Sequence, residues 1–295
     1  MPTAIDIVVV SYNSSATLRD CVAPLAGVPG LTVTVVDNCS TDGAPQTVAD
    51  LPVRVVAAER NGGFGYGCNR GAEAGDAPLV LFLNPDARIA PKGVARMAEV
   101  LAGEPGVAIV GPRLVEADGT MVPSMRRFQR AGSSWAQALF LHRLARDARW
   151  ANEIVKDPAA YAAPASPEWL SGACMLVRRE VLSALGGFDE GFFLYCEDMD
   201  LCTRARAAGH AVRFTPDVTV QHAGGQSAPR SSLYPVLAAS RRRYARKHAG
   251  RLSAASQHAA LAVHAATHVA TAVRRPQAAR GHAAAFRAML SAPSP

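Results

Sequence analysis

The sequence predicts an α/β fold with a mostly parallel, doubly wound sheet flanked by helices. Continuous runs of Val, Ile and Leu recur along the first hundred residues, and helix-compatible segments separate them. Such runs are typical of parallel strands that are buried on both faces. The predicted strands are Ile5–Val10, Thr32–Val36, Val53–Ala57 and Leu79–Leu83, and the intervening helices begin near Ser14, Ala44 and Gly67.

The elements that follow are less regular. Residues 104–128 favour a strand and a tight turn at Asp118-Gly119 in a second layer. The pattern weakens over 129–166, where prolines predict a mobile surface insertion. The remaining predicted elements are a strand at Trp169–Val177, a helix at Leu201–Ala208, a strand at Ala211–Thr215 and an Ala-rich helical tail.

Composition limits the class of protein. The 295 residues are 49% hydrophobic, which excludes an intrinsically disordered chain. Six cysteines without a C-x-x-C pair argue against a zinc knuckle or a disulfide framework. The chain shows neither a secretory signal nor an apolar run of roughly 20 residues that could cross a bilayer. We therefore expect a cytoplasmic protein.

Charge is distributed unevenly along the chain. Residues 226–295 contain eleven Arg or Lys and no acid, whereas the residues before them contain twenty bases and twenty-four acids. We therefore expect a basic helical extension at 229–295. Its bases between Arg241 and Arg251 predict peripheral contact with an anionic surface, the inner face of the plasma membrane. Nucleic acid is a rival partner, but no motif that reads it accompanies the charge, and the oligomeric state stays open.

Two predicted strands end in polar residues at the edge of the sheet where doubly wound folds bind ligands. Ser11, Tyr12 and Asn13 follow the first strand, and Asp37 and Asn38 close the second. Backbone amides there can contact a base or a phosphate, and a carboxylate can accept a hydrogen bond from a base or a ribose. Each pattern alone also fits an ordinary capped turn.

A glycine-rich segment runs from Asn61 to Asn69. Gly62 and Gly63 open it and permit close approach of the backbone to a ligand. The spacing is not that of the G-x-G-x-x-G dinucleotide fingerprint. The flanking Asn61 and Asn69 favour a ligand-facing loop over a merely flexible one.

A single carboxylate, Asp86, follows the apolar strand Leu79–Leu83, two residues after Asn84. That position suits a hard divalent cation, Mg²⁺ or Mn²⁺, that takes diphosphate oxygens as further ligands. His222 ends a later strand, and imidazole is compatible with Mn²⁺. A turn-capping carboxylate and a structural histidine are the alternatives.

Three carboxylates, Glu197, Asp198 and Asp200, follow the apolar run at 193–196. An ionised carboxylate is costly to bury unless it is paired or hydrogen-bonded. The pattern therefore indicates either a capped helix start or a catalytic base whose pKa is raised.

Six motifs occur in a fixed order: V-S-Y-N, V-V-D-N-x-S-x-D-G, N-G-G-F-G-x-G-x-N-x-G, L-N-P-D-A, W-L-S-G-A-C-M-L-V-R-R-E and G-F-D-E-x-F-F-L-Y-x-E-D-x-D-L. Together, over residues 5–225, they resemble inverting family-2 glycosyltransferases, in particular rhamnosyltransferase-type members. The resemblance implies the A-type glycosyltransferase fold with a Rossmann-like sheet. It also implies a catalytic domain at 1–228, with a nucleotide-binding half (1–103) and an acceptor half (104–228).

Site roles follow from the same resemblance. Asp37 matches the carboxylate that reads the nucleobase, Asp86 the last acid of the D-x-D metal motif, and Asp198 the catalytic base. Asn84 stands where many members have the first acid of this motif. The cation would then have one protein carboxylate and the diphosphate as ligands, unless His222 also binds it. The other implied donor-site residues are Ser11, Tyr12, Asn13, Asn38, Asn61, Gly62, Gly63, Asn69 and Asn84, and the implied acceptor-site residues are Trp169, Gly172 and Glu197.

The implied reaction is transfer of a sugar, rhamnose, from a dTDP- or UDP-sugar to a hydroxyl of a glycan or lipid-linked glycan in cell-wall or surface polysaccharide synthesis. One base without a protein nucleophile predicts inversion at the anomeric carbon. A non-catalytic nucleotide-sugar or carbohydrate-binding relative is one alternative. A sugar nucleotidyltransferase is the other, although such enzymes usually carry a basic Gly-rich loop where this chain has the uncharged residues 11–15.

Overall fold

A computed structural model of the chain describes residues 3–145, 148–224, 230–272 and 275–290. The strands are β1 (Ile5–Ser11), β2 (Leu31–Asp37), β3 (Arg54–Ala57), β4 (Leu79–Leu83), β5 (Ala87–Arg88), β6 (Val107–Val115), β7 (Met121–Val122), β8 (Met125–Arg126), β9 (Trp169–Leu170), β10 (Cys174–Arg178) and β11 (Ala211–His222). The α-helices are α1 (Leu18–Val22), α2 (Phe64–Glu73), α3 (Pro91–Gly103), α4 (Ala131–Ala138), α5 (Leu141–Leu144), α6 (Arg179–Ala184), α7 (Glu197–Ala207), α8 (Tyr234–His248), α9 (Arg251–Thr271) and α10 (Pro276–Leu290).

The chain divides into two compact units. The first contains residues 1–126, 156–191 and 197–227, and the second contains 127–155, 192–196 and 228–295. The basic extension thus clusters with two internal segments, 127–155 and 192–196. The segment predicted as a surface insertion, 129–166, contributes helices α4 and α5 to the second unit.

Nine strands of the described residues form one sheet in the first unit. Their order is β3-β2-β1-β4-β10-β6-β11-β5, with β7 paired to β6. The first four strands are parallel, whereas β10 runs antiparallel to both of its neighbours. All residues of β1 and β4 are buried, which explains their unbroken apolar runs. The predicted α/β fold class is confirmed.

Several elements differ from their prediction, and the helix expected near Ala44 is a short 3-10 helix, Ala44–Val48. The strand predicted at 104–128 lies in the main sheet as β6 rather than in a second layer. The strand predicted at Trp169–Val177 splits, because β9 leaves the main sheet and pairs with β8. Most of the glycine-rich segment is helical, since α2 begins at Phe64. A Cβ at Gly67 would lie 2.6 Å from Val10 Cγ1, so this glycine allows α2 to pack closely on β1.

The second unit is a helical assembly in which α9 packs against α4, α8 and α10. Arg241 and Glu153 form a buried ion pair there, with Arg241 Nη1 2.8 Å from Glu153 Oε2. Burial raises the pKa of Glu153, but the charge and hydrogen bond of Arg241 outweigh it, and the pKa is lowered. The imidazoles of His264 and His268 stack at 3.8 Å between ring centroids, and burial lowers the pKa of His264 to about 3. Both partners of the ion pair are therefore charged, and His264 is neutral, at pH 7.

Only some of the basic residues between Arg241 and Arg251, which were predicted to form a surface cluster, are exposed. Arg241 is committed to Glu153, whereas Arg243, Arg246 and Lys247 are exposed on α8. The helix ends at His248, and exposed Arg251 begins α9. None of the described helices is long and apolar enough to cross a membrane.

Candidate active site

The carboxyl ends of β1 and β2 lie side by side. Ser11 pairs with Asp37 in the parallel register. Ser11 is completely buried, and its Oγ has no hydrogen-bond partner among the described residues. One oxygen of Asp37 accepts a hydrogen bond from the Ser40 amide at 3.1 Å. A buried hydroxyl without a partner beside a carboxylate is a place where a polar ligand can complete the hydrogen bonding.

The loop after β1 is fixed by the loop after β2. Asn13 has a left-handed backbone with φ of 50°, and its Oδ1 accepts a hydrogen bond from the Thr41 amide at 2.8 Å. The Asn13 amide in turn donates to Ser40 Oγ at 3.0 Å. The side chain of Tyr12, the residue before Asn13, is exposed. The two loops therefore form one rigid rim at the carboxyl end of the sheet.

Two of the predicted donor-site asparagines serve the protein itself. Asn38 is buried, and its Nδ2 donates to Asn61 Oδ1 at 3.0 Å and to the Gly63 carbonyl at 3.1 Å, while its Oδ1 accepts from the Gly62 amide. These hydrogen bonds shape the loop at 61–63. The sequence alone does not reveal this, because the partners follow the next strand along the chain.

Asn69 was predicted to flank a ligand-facing loop, but it lies inside α2. Its Nδ2 donates to the Phe188 carbonyl at 3.0 Å and to Glu190 Oε1 at 2.9 Å. Its Oδ1 accepts from the Phe188 amide at 2.8 Å. Both ends of the amide are occupied, and Asn69 therefore anchors the segment at 188–190.

Asp86 and His222 meet at the edge of the sheet. The antiparallel pairing of β5 with β11 sets His222 opposite Ala87. His222 Nε2 lies 3.3 Å from Asp86 Oδ1 and 3.2 Å from Asn84 Nδ2. Burial raises the pKa of Asp86, but the hydrogen bond and charge of His222 outweigh it and lower the pKa. Asp86 is therefore ionised at neutral pH.

This pair has the donor chemistry of a divalent cation site. Neighbouring ligands of an octahedral cation with bonds of 2.0–2.1 Å lie about 3 Å apart, close to the separation of Asp86 Oδ1 and His222 Nε2. Carboxylate and imidazole are both ligands of Mn²⁺. Among the residues that the structure describes, no group of three or more His, Cys, Asp or Glu side chains could hold a metal ion.

The three carboxylates of the E-D motif lie in the first turn of α7, where a helix favours negative charge. Asp200 is fully buried and pairs with Arg204, whose Nε is 2.7 Å from Asp200 Oδ2. Glu197 is 5% exposed. Asp198 is partly exposed, and among these three it is the side chain that solvent or substrate can reach.

Asp198 is held by two backbone amides. Gly172 donates to its Oδ2 at 2.9 Å, and Met199 donates to its Oδ1 at 2.8 Å. Burial raises the pKa of Asp198 above its ordinary value, and these two hydrogen bonds and the charge of Arg126 offset part of the rise. A Cβ at Gly172 would lie 3.3 Å from Asp198 Cβ, so the predicted acceptor-site glycine positions the carboxylate directly.

Arg126 is a site residue that sequence reasoning missed. It lies in β8, and the pairing of β8 with β9 sets it opposite Trp169. Its guanidinium is 5.8 Å from the centroid of the Trp169 ring. No local pattern singles out Arg126, because its function depends on a pairing with a distant segment.

The loop that carries Asp86 and the Asp198 carboxylate both contact one stretch of backbone. The Asn84 amide donates to the Ala173 carbonyl at 2.9 Å, next to the Gly172 amide that holds Asp198. The segment between β9 and β10 thus contacts both the loop that carries Asp86 and the carboxylate at the start of α7.

A family model described as "Glycosyltransferase like family 2" matches residues 2–250. The chain belongs to glycosyltransferase family 2. It is 32% identical over 240 residues to the N-acetylglucosaminyl-diphospho-decaprenol L-rhamnosyltransferase of Mycobacterium tuberculosis, covering 75% of this chain and 76% of that protein. It is also 45% identical over 49 residues to rhamnosyltransferase WbbL of Escherichia coli, or 17% of this chain and 19% of WbbL. The protein is a glycosyltransferase, as the motifs predicted.

Solved structures agree on the fold. The mannosyltransferase PcManGT of Pyrobaculum calidifontis, in complex with GDP-Man and Mn²⁺, superimposes with a TM-score of 0.59 at 20% identity, covering 98% of this chain and 87% of PcManGT. TarS 1-349 of S. aureus, in complex with UDP-GlcNAc, gives 0.55 at 18% identity, covering 97% and 82%. The A-type glycosyltransferase fold is thereby confirmed.

The proximity of Asp86 Oδ1 and His222 Nε2 predicts a measurable affinity for a divalent cation. We expect Asp86→Asn and His222→Asn to weaken Mn²⁺ binding in the presence of UDP or dTDP about 10-fold or more, because each removes one protein ligand. Electron paramagnetic resonance of free Mn²⁺ measures the affinity without turnover. The control is His210→Asn, which removes a histidine in the turn before β11. Wild-type affinity in both site variants would contradict the assignment.

Proposed function

We propose that this glycosyltransferase transfers rhamnose from a dTDP- or UDP-sugar to a hydroxyl of a lipid-linked glycan in cell-wall or surface polysaccharide synthesis. The sugar and acceptor are those in the name of the M. tuberculosis relative, which this chain matches over three-quarters of its length. The observation that carries the chemistry is the state of Asp198. It is a partly exposed carboxylate with a raised pKa, held by two amides at the start of a helix.

Asp198 acts as the general base in a single displacement. The acceptor oxygen attacks the anomeric carbon and forms the new glycosidic bond while its proton passes to Asp198. The bond from the anomeric carbon to the diphosphate breaks on the opposite face, and the nucleoside diphosphate leaves. A raised pKa suits this role, because a base works best when its pKa approaches the working pH.

The rim at the ends of β1 and β2 binds the donor nucleotide in this proposal. The buried Ser11 hydroxyl without a partner and the Asp37 carboxylate offer hydrogen bonds to the nucleoside. Asp86 and His222 hold a divalent cation which, when bound, neutralises charge on the diphosphate. Cations occur in structures of relatives with this fold, including PcManGT with Mn²⁺.

The two alternatives are weaker. A sugar nucleotidyltransferase does not fit the family match over 2–250. A binding protein that has lost its chemistry does not require the two amides that fix Asp198, whereas a base does. Release of nucleoside diphosphate from a nucleotide sugar separates an enzyme from a binder.

We expect Asp198→Asn to lower kcat about 10²- to 10⁴-fold, because the general base is lost while the shape of the side chain is kept. The assay follows nucleoside diphosphate released from dTDP-rhamnose, UDP-sugars and GDP-sugars with Mn²⁺ or Mg²⁺ and a polyprenyl-diphosphate-linked GlcNAc acceptor. The matched control is Asp76→Asn, which changes an exposed carboxylate in the loop before β4. Near-normal kcat in folded Asp198→Asn would end the assignment of the base, and release from GDP-sugars alone would end that of the donor.

The exposed bases of the second unit support contact with an anionic leaflet, where a lipid-linked acceptor resides. Each base near such a surface contributes about 1 kcal/mol, so Arg246→Gln with Arg251→Gln should weaken binding to vesicles that contain an anionic phospholipid roughly 10- to 30-fold. The control, Arg54→Gln with Lys92→Gln, removes the same charge from exposed positions of the first unit. Equal flotation of both double variants would count against this contact.

A further inference from the structure

Glu197 is a buried titratable group that the displacement described above does not use. The residue is 5% exposed, and its Oε2 has no hydrogen-bond partner among the described residues. Its carboxyl receives a hydrogen bond from its own backbone amide, which is a weak substitute for water. Gly65 packs against it, since a Cβ there would lie 3.6 Å from Glu197 Cβ. Because the residue is almost completely buried, the predicted direct role of Glu197 in the acceptor site does not fit its position.

The neighbouring acids accept hydrogen bonds from other residues, whereas Oε2 of Glu197 has no partner among the described residues. Asp198 accepts hydrogen bonds from the amides of Gly172 and Met199, at 2.9 and 2.8 Å. Asp200 pairs with Arg204 at 2.7 Å. The charges of Asp198 and Asp200 raise the pKa of Glu197. The charge of Glu197 in turn raises the pKa of the Cys68 thiol in α2. No cation stabilises a charge on Glu197 among these groups.

We propose that Glu197 is a positioning residue that keeps its proton throughout the working pH range, so that Asp198 alone of this adjacent pair is ionised and serves as the base. This inference rests on the proposed role of Asp198. Two adjacent carboxyls, one buried and one partly buried, do not both ionise readily, and the proton resides on the one with fewer donors. A neutral hydroxyl without a partner costs far less to bury than a carboxylate without one.

The direction of the pKa agrees with this geometry. Burial, and then the charge of Asp198, raise the pKa of Glu197 well above its ordinary value. A protonated Glu197 adds no negative charge beside the base. Asp198 therefore loses its proton at a lower pH than it would next to a second carboxylate, and it is ready to accept the proton of the acceptor hydroxyl.

Glu197→Gln tests the charge of this side chain, because glutamine matches the shape of a neutral carboxylic acid. We expect this variant to keep kcat/KM within a few-fold of wild type and to leave the acid limb of its pH profile in place. If Glu197 were ionised, its removal would lower the pKa of Asp198 and move that limb down by about one pH unit or more. Such a move would overturn the proposal. Glu180→Gln, at an exposed position in the first turn of α6, is the matched control.

A second measurement does not depend on turnover, and its deciding spectrum is that of the wild-type protein. In protein labelled with ¹³C at the glutamate side-chain carboxyl, nuclear magnetic resonance at pH 7 should show one carboxyl that is still protonated. Glu197→Gln should remove that resonance, and Glu180→Gln should leave it. If all glutamates of the wild type are ionised at pH 7, the proposal is wrong even if Asp198→Asn is inactive. If Asp198→Asn is active while the protonated resonance is present, the assigned base fails and the protonation of Glu197 stands.

Discussion

The hydrogen bond from the Gly172 amide to Asp198 is the interaction on which the site depends. It ties the first turn of α7 to the segment between β9 and β10, and the neighbouring Ala173 carbonyl receives the amide of Asn84. Asp198 and the loop that carries Asp86 are therefore both hydrogen-bonded to the same short segment of backbone, Gly172 and Ala173. A side chain at position 172 would crowd this carboxylate, because a Cβ there would lie 3.3 Å from Asp198 Cβ. A shift of this segment would move both parts of the site at once.

Much of the fold follows from the sequence because the buried parallel strands leave unbroken apolar runs. Strand β4 was predicted to the residue, and β1 and β2 to within one residue at each end. The failures occur where long-range pairing overrides local pattern. The glycines after Gly63 were predicted to form a loop. They instead lie in helix α2, and Gly67 allows this helix to pack closely on β1. The union of 127–155, 192–196 and 228–295 into one unit has no signal in periodicity.

The candidate site divides in the same way. The ordered motifs predicted roles for Asp37, Asp86 and Asp198, and the end of a later strand singled out His222. The structure brings Asp86 and His222 within 3.3 Å of each other. Residue type alone could not separate ligand groups from supporting ones, because asparagine serves both purposes. The different environments of the three acids of α7 could not be predicted from the sequence either, since they depend on the hydrogen-bond partners of each acid in the folded chain. Arg204 pairs with Asp200, two amides hold Asp198, and Oε2 of Glu197 has no partner among the described residues.

The central claim is a single displacement driven by one carboxylate base, and the anomeric configuration of the product tests it most directly. The transferred sugar should be examined by nuclear magnetic resonance in the first product formed, and its anomeric configuration compared with that of the donor. One base, with no protein nucleophile on the reacting carbon, predicts the opposite configuration in the product. Retention of the donor's configuration would contradict the account, because it would require a different displacement mechanism in which Asp198 does not act solely as a base.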